Sequence, residues 1–273
     1  MSAFSLRYIV NPSYLFLFDV SCQIYFIINS ILKFGILHYI DTFDVFQNLQ
    51  HPEMSKACRA QLVRRQQMMS RDYRVSYGLA KACKLEITEN GCREGVNRNE
   101  DGHVRASQIL ICLEGVINNE QGTVNGACVA QMRQHRQMLM EDFNVSPEIV
   151  VECRDEVRTK CAGVPGERTI HCLMKYAVQR QLDNERCEHA LSTLLREADV
   201  ASDWKVDPIL HENCSPVVSA ACDSKAPNEV VLSCLMSLAA KNSMHMTNEC
   251  MTTLMEIQYF LSRDFRLDTK LYR

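Results

Sequence analysis

The chain has 273 residues, with 30 lysine and arginine against 33 aspartate and glutamate residues and a formal net charge of −3. This balance excludes the strongly basic surface typical of nucleic-acid-binding proteins, and the length allows one large domain or two ordinary ones. Its 14 cysteines are far more than a typical cytosolic protein contains. Eleven of the 19 phenylalanine and tyrosine residues lie in the first 46 positions, whereas 13 cysteines lie between Cys58 and Cys250. The two parts of the chain therefore suit different surroundings.

The N-terminal segment, residues 1–53, is aromatic and aliphatic. A cleavable signal peptide is not expected, because only Arg7 precedes the apolar stretch and no small-residue cleavage site follows it. Residues 14–40 are long enough to span a bilayer, but they include polar residues that are costly at its centre, namely Asp19, Asn29, Lys33 and His38. Three interpretations stay open: an uncleaved signal-anchor, translated sequence that is not native to the protein, and a soluble core helix.

After this segment the cysteines recur as a four-cysteine unit, and their leading members are 70, 59 and 63 residues apart. The groups are Cys58, Cys83, Cys92 and Cys112, then Cys128, Cys153, Cys161 and Cys172, then Cys187, Cys214, Cys222 and Cys234, and finally Cys250. We therefore predict repeats at 54–125, 126–184 and 185–247 and a partial repeat at 248–273. Because half a unit cannot bury its own apolar face, the partial repeat predicts a fragment, a truncated isoform or an incomplete gene model.

Each unit is predicted to contain three short helices. Apolar residues lie four and eleven positions after the leading cysteines, on one face of a first helix: Leu62, Met132, Leu191 and Leu254, and Met69, Leu139, Ala198 and Leu261. An Asp-aromatic turn follows at Asp72-Tyr73, Asp142-Phe143, Asp203-Trp204 and Asp264-Phe265. Ser76, Ser146 or Asp207, three residues after the aromatic, suits the N-cap of a second helix. A third helix is centred on the fourth cysteine. The predicted fold is all-α, an array of tandem disulfide-linked three-helix repeats.

The spacing of the cysteines and histidines excludes the usual functional sites for these residues. Zinc sites typically pair their ligands as C-x-x-C or H-x₃₋₅-H, and no such pair with cysteine partners occurs in this sequence. A catalytic cysteine is a single thiol beside a positioned histidine, which a repeated cysteine does not suit. We therefore expect no metal, no cofactor, no catalytic residue and no enzymatic activity. Disulfides are the better interpretation, since units of about 60 residues have thin cores and gain about 2–4 kcal/mol per bridge. Disulfides predict lumenal or extracellular residence.

The sequence leaves the disulfide pairing open. Four cysteines closed within one unit allow three connectivities. In a second scheme, adjacent cysteines close locally (83–92, 153–161 and 214–222) and neighbouring units are joined through 112–128, 172–187 and 234–250. That scheme is attractive because the joining step is nearly constant, and it leaves only Cys58 and Cys22 over.

This unit, C-x₃-[LM] followed by D-[YFW]-x-[VL]-[SD] and by C-L-[ME], resembles the cysteine-rich repeat of the Golgi apparatus protein 1 family over about residues 54–273. Members of that family are also described as cysteine-rich fibroblast growth factor receptors and E-selectin ligands. The resemblance implies a Golgi membrane glycoprotein whose partners are fibroblast growth factors, growth-factor precursors and, through glycans, a selectin. Asn144 and Asn213 match the glycan acceptor triplet, although Pro147 and Pro216 follow directly and disfavour occupancy.

We therefore expect a non-enzymatic Golgi scaffold that binds secreted growth factors. A repeat array suits such a role because side chains of successive units line one extended face. The alternative is a lumenal cargo-retention or glycan-dependent adhesion scaffold that lacks a defined growth-factor site. Neither nucleic acid nor a cofactor is an expected partner.

Overall fold

The computed structural model describes residues 55–94, 96, 102–118 and 124–263. The interpretations of the N-terminal segment 1–53 and of the fourth turn, Asp264-Phe265, lie outside these residues. The chain divides into two compact units, residues 1–66 and 67–273. The packing of the repeats described here is that of the second unit.

The described residues are helical and contain no β-strand, which confirms the predicted all-α class. The helices are α1 Lys56–Arg71, α2 Tyr77–Ala82, α3 Lys84–Glu89, α4 Ala106–Asn118, α5 Gly126–Glu141, α6 Pro147–Glu152, α7 Arg154–Thr159, α8 Gly166–Val178, α9 Glu185–Ala198, α10 Pro208–Ala221, α11 Asn228–Ala240 and α12 Asn248–Leu261. Three 3₁₀ turns lie at Tyr73–Val75, Phe143–Val145 and Trp204–Val206.

The leading helices α5, α9 and α12 form where the sequence predicts them. The residues four positions after their leading cysteines, Met132, Leu191 and Leu254, are buried and face the core. Each helix begins with a side-chain oxygen that accepts a main-chain N–H of its first turn: Asn125 from Cys128, Asn184 from Arg186 and Thr247 from Cys250. Apolar periodicity and the N-cap together define these helices.

The Asp-aromatic pattern is a turn, as predicted, and the aspartate itself forms the cap. The carboxylates of Asp72, Asp142 and Asp203 each accept the main-chain N–H two residues later, at the start of the 3₁₀ turns. The predicted N-caps of the second helix are correct in position at Ser76, Ser146 and Asp207. Only Asp207 caps with its side chain, which accepts from the N–H groups of Ile209 and Leu210.

The second helix differs from the prediction in the first two repeats, where it is broken at its cysteine. Cys83 and Cys153 adopt φ −100°, ψ 15° and φ −101°, ψ 11°, outside the helical region. The backbone hydrogen bonds nevertheless continue through the break, since Cys83 donates to Leu79 and accepts from Ile87. In the third repeat α10 runs unbroken through Cys214.

The buried clusters extend from one repeat into the next and are not confined to single repeats. One buried cluster runs from Met138 to Phe260 across the second, third and partial fourth repeats. A second cluster joins the first repeat to Cys128 and Met132 of α5. Helix α9 packs on α4, α5, α6 and α8, so that one leading helix contacts both preceding repeats. This packing confirms the predicted tandem array.

The repeat cysteines form disulfides, as predicted, but both pairing schemes need correction. The second cysteine of each unit bonds the leading cysteine of the next, and the third bonds the fourth within its unit. The pairs are Cys83–Cys128, Cys153–Cys187, Cys214–Cys250, Cys92–Cys112, Cys161–Cys172 and Cys222–Cys234. Cys58 is disulfide-bonded as well.

Helix geometry explains the correction. The six-residue helix α3 separates the local pair 83–92, and its rise of about 9 Å exceeds the Cα separation that a disulfide allows. The second helix of each unit instead packs on the leading helix of the next, for example α6 on α9. That contact places the Cα atoms of Cys153 and Cys187 4.7 Å apart.

Candidate functional site: a groove between the second and third repeats

An open groove of about 550 Å³ lies between α6 of the second repeat and α9 of the third. Helix α6 lines it with Glu148 and Glu152, one turn apart, and α9 lines it with Glu185 and His189, also one turn apart. Ala190, which is 5 % exposed, lies at its bottom. The Cys153–Cys187 disulfide joins the two helices and fixes the distance between the walls.

The groove is open because of the small side chain of Ala190. Counted from the leading cysteine, Gln131 and Thr253 take its place at the two other junctions. The Gln131 side chain lies against Gly78, in the space that a Cβ there would occupy. Thr253 accepts a 2.8 Å hydrogen bond from the amide of Asn213, which closes the gap between α10 and α12. An alanine at this position leaves that space unfilled at the junction of the second and third repeats.

One carboxylate of the groove is compensated by a basic residue from the first repeat. Arg105 Nη1 lies 2.7 Å from Glu148 Oε1, and Arg105 Nη2 lies 3.4 Å from Glu197 Oε1. Burial raises the pKa of Glu197, and Arg105 opposes that increase. One guanidinium therefore links three repeats and compensates Glu148.

The other two carboxylates of the groove are not compensated in this way. Within the described part of the chain, neither Glu152 nor Glu185 forms an ion pair. The Asn184 side chain donates a 2.6 Å hydrogen bond to the main-chain oxygen of Glu152, which holds the start of α9 beside the end of α6. Both carboxylates therefore lie at one end of the groove, with the exposed Arg186 as the basic residue of its lining.

A second ion cluster also joins three repeats. Arg136 of α5 is 2.9 Å from Glu114 of α4 and 3.1 Å from Asp199, the residue that ends α9. Asp199 has left-handed backbone angles, φ 51° and ψ 47°. Burial raises the pKa of Asp199 to about 6, with Arg136 opposing the increase and Glu114 adding to it. This carboxyl therefore titrates in a mildly acidic range.

Asp199→Asn is expected to change how stability depends on pH. Because the pKa of Asp199 is raised in the folded state, its protonated form contributes stability that is present below pH 3.8 and is lost as pH rises through 6. The variant cannot ionise, and asparagine tolerates a left-handed backbone. Relative to the wild type it should gain on the order of 2 kcal/mol between pH 4 and 7. Urea unfolding at both pH values measures this gain. The exposed Asp183→Asn serves as the control, and an unchanged pH profile in Asp199→Asn would contradict the assignment.

A buried histidine joins the second, third and fourth repeats. His171 Nδ1 lies 2.8 Å from Glu256 of α12, and its Nε2 lies 3.0 Å from both carboxylate oxygens of Asp207. Burial opposes a charge on the ring, but Asp207 and then Glu256 outweigh it and raise the pKa of His171 to about 10. His171 is therefore an imidazolium at neutral pH, and all its polar atoms are occupied. The cluster is a structural contact between repeats.

Within the described residues, no group of three histidine, cysteine, aspartate or glutamate side chains is arranged to hold a metal ion. Among the helices of that same part of the chain, none combines the length and the apolar character needed to cross a bilayer. The groove is lined by carboxylates, a histidine, an arginine, Ala190 and Thr193. Its chemistry is suited to noncovalent binding of a cationic group.

The two glycan acceptors lie in ordered structure. Asn144 is in the second 3₁₀ turn, and its amide donates to Asp142, 2.8 Å away. Asn213 lies in α10, and its amide is bonded to Thr253. An attached glycan would take one of the two N–H positions of that amide nitrogen, and glycosylation at both sites stays a prediction.

Sequence reasoning missed the groove and the histidine cluster. The signals were present as departures from the repeat: Ala190 where the other units have Gln131 and Thr253, and His171 where they have Ile111 and Ser233. These departures become visible only when the repeats are aligned. Ala190 faces a groove and His171 faces a carboxylate pair because of contacts between units that are far apart in the sequence.

Comparison with known proteins agrees with this architecture. The family model described as a cysteine rich repeat matches residues 56–121, 126–181 and 185–243. Golgi apparatus protein 1 is 38 % identical over 234 residues in Gallus gallus and in Homo sapiens, covering 84 % of this chain and 20 % and 19 % of those proteins. The Golgi apparatus protein 1 homolog of Caenorhabditis elegans is 33 % identical over 230 residues, which is 80 % of this chain and 20 % of that protein.

The chain spans about a fifth of the length of these relatives. No solved structure matches it. Three matches to one repeat model, together with relatives from vertebrates and a nematode, establish the family that the repeat unit resembles. The chain belongs to the cysteine-rich repeat family of Golgi apparatus protein 1, and its location is the Golgi apparatus.

Proposed function

We propose that this chain is a non-enzymatic binding scaffold of the Golgi lumen that binds secreted growth factors such as fibroblast growth factors. The observation that carries the proposal is the open groove at one junction of a disulfide-fixed array, with two carboxylates that form no ion pair with any described residue. A preformed groove between rigid helices lowers the ordering cost of binding. Under this proposal, growth-factor precursors and a selectin are further partners, and nucleic acid is not a partner. The proposal also includes membrane association and glycosylation.

The absence of enzymatic activity is part of the same proposal. It is supported by the repetition of the cysteines, which are used in disulfides and are not reactive thiols. The Asp-aromatic carboxylates, the other repeated polar groups, cap the 3₁₀ turns. The function of a non-enzymatic scaffold is then defined by the ligand that its surface binds.

Binding of a fibroblast growth factor to the oxidised full chain tests the proposal. The chain is produced through a secretory pathway, so that its disulfides form, and is immobilised for a biosensor measurement. Saturable binding with a Kd on the order of 1 µM or tighter is expected. Reduced and alkylated chain is the control and should not bind, because the array depends on its disulfides. If growth factors do not bind while many unrelated secreted chains do, the cargo-retention alternative replaces the receptor function.

A further inference from the structure

An open space, unpaired charge and a departure from the repeat coincide in the groove between α6 and α9. We propose that it accepts an arginine-bearing segment of a secreted protein partner, with Glu152 and Glu185 as the groups that bind the guanidinium. This inference rests on the proposed function as a binding scaffold and names the chemistry of the segment that is bound.

The charge distribution favours a cation in the groove. Of the three carboxylates in its lining, Glu148 already pairs with Arg105 at 2.7 Å, and the uncompensated Glu152 and Glu185 lie at the same end. Two carboxylates of the described core, Asp199 and Asp207, have basic partners within hydrogen-bond distance. Arg186 opposes a cationic ligand but is exposed, so that its side chain can extend into solvent. Two unpaired carboxylates outweigh this single charge.

The shape of the groove favours an arginine side chain. The bottom is apolar at Ala190, and a long alkyl stem covers such a surface while its charged end stays at the rim. A planar guanidinium also binds carboxylates in a bidentate manner, which an ammonium group does not do. Because the groove is open along the surface, a segment of a larger protein can enter it.

Alignment of the repeats suggests the most informative variant for testing the groove. Ala190→Gln introduces the residue that occupies this position in α5, where the Gln131 side chain fills the corresponding gap. It places a long side chain beside Glu148, the residue in the position of Gly78 at this junction, and should therefore fill the groove. Circular dichroism and thermal unfolding of the full chain check that the variant is folded. If it is not, the carboxylate variants on the surface still decide the proposal.

The probe is a fluorescent acetyl-Gly-Arg-Gly-Arg-Gly amide peptide, and the same peptide with citrulline in place of arginine is the control. Binding to the full chain is measured by anisotropy. Ala190→Gln and the pair Glu152→Gln/Glu185→Gln are each expected to weaken binding about tenfold or more, and Arg186→Gln to strengthen it about threefold. Added salt should weaken binding further. The exposed pair Glu229→Gln/Glu249→Gln, in α11 and α12, should change it less than about twofold.

Unchanged affinity in Glu152→Gln/Glu185→Gln, or equal binding of the citrulline peptide, would overturn the groove assignment. The same variants then distinguish this inference from the proposed function. If a growth factor binds the wild type and the groove variants equally, the function stands and the groove is not its site. If the arginine peptide binds through Glu152 and Glu185 while no growth factor binds, the groove is a cation site and the receptor function fails.

Discussion

Replacing Cys153 and Cys187 together by alanine is expected to lower the free energy of unfolding by about 4 kcal/mol. This disulfide closes a loop with a sequence separation of 34 residues, and both cysteines are fully buried between α6 and α9. Without this disulfide, the unfolded chain regains the conformational entropy of a long loop, and the covalent link between two repeats is lost. Urea unfolding followed by circular dichroism measures the change.

The pair Cys161→Ala/Cys172→Ala is the matched control, because it removes a disulfide of the same repeat with a sequence separation of only 11 residues. Its expected cost is smaller, about 3 kcal/mol, and it leaves the second and third repeats linked. The Cys153/Cys187 variant should in addition show a broader transition, since its repeats unfold less cooperatively. Equal losses in both variants, with equally sharp transitions, would argue against a special role for the link between repeats.

His171→Ile is expected to cost about 3–5 kcal/mol, because it leaves Asp207 and Glu256 buried without their shared cation. A variant that restores stability can be taken from the aligned positions one repeat earlier. Those positions hold Ile111 in place of His171, Ser146 in place of Asp207 and Thr193 in place of Glu256. The triple variant His171→Ile/Asp207→Ser/Glu256→Thr replaces the whole ion cluster with this set and should recover most of the loss.

The same cluster predicts a pH dependence. Because the folded-state pKa of His171 is raised to about 10 from 6.5, its contribution to stability is complete below pH 6.5 and is lost as pH rises through 10. Urea unfolding at pH 6, 8 and 10 should show the wild type losing stability over this range more steeply than the triple variant. Parallel curves, or a single His171→Ile variant as stable as the wild type at pH 6, would show that the imidazolium does not hold the repeats together.

The sequence by itself determined the repeat, its helices and its family. The spacing of Leu191 and Ala198 after Cys187 is local information, since both offsets return to one face of a single helix. Asp203 and Trp204 likewise mark a turn whose cap hydrogen bond spans two residues. Such features depend on neighbours in the chain, and a pattern repeated several times identifies them securely.

Only the tertiary structure decided the disulfide pairing and the groove. Cys153 can reach Cys187 because α6 packs on the leading helix of the next repeat, a contact across 34 positions that no local spacing encodes. Glu152 and Glu185 meet for the same reason, and Ala190 becomes the bottom of a groove only when α6 lies above it. In a repeat array, the sequence defines each unit through local contacts, whereas the surface available to a ligand is formed by the contacts between units.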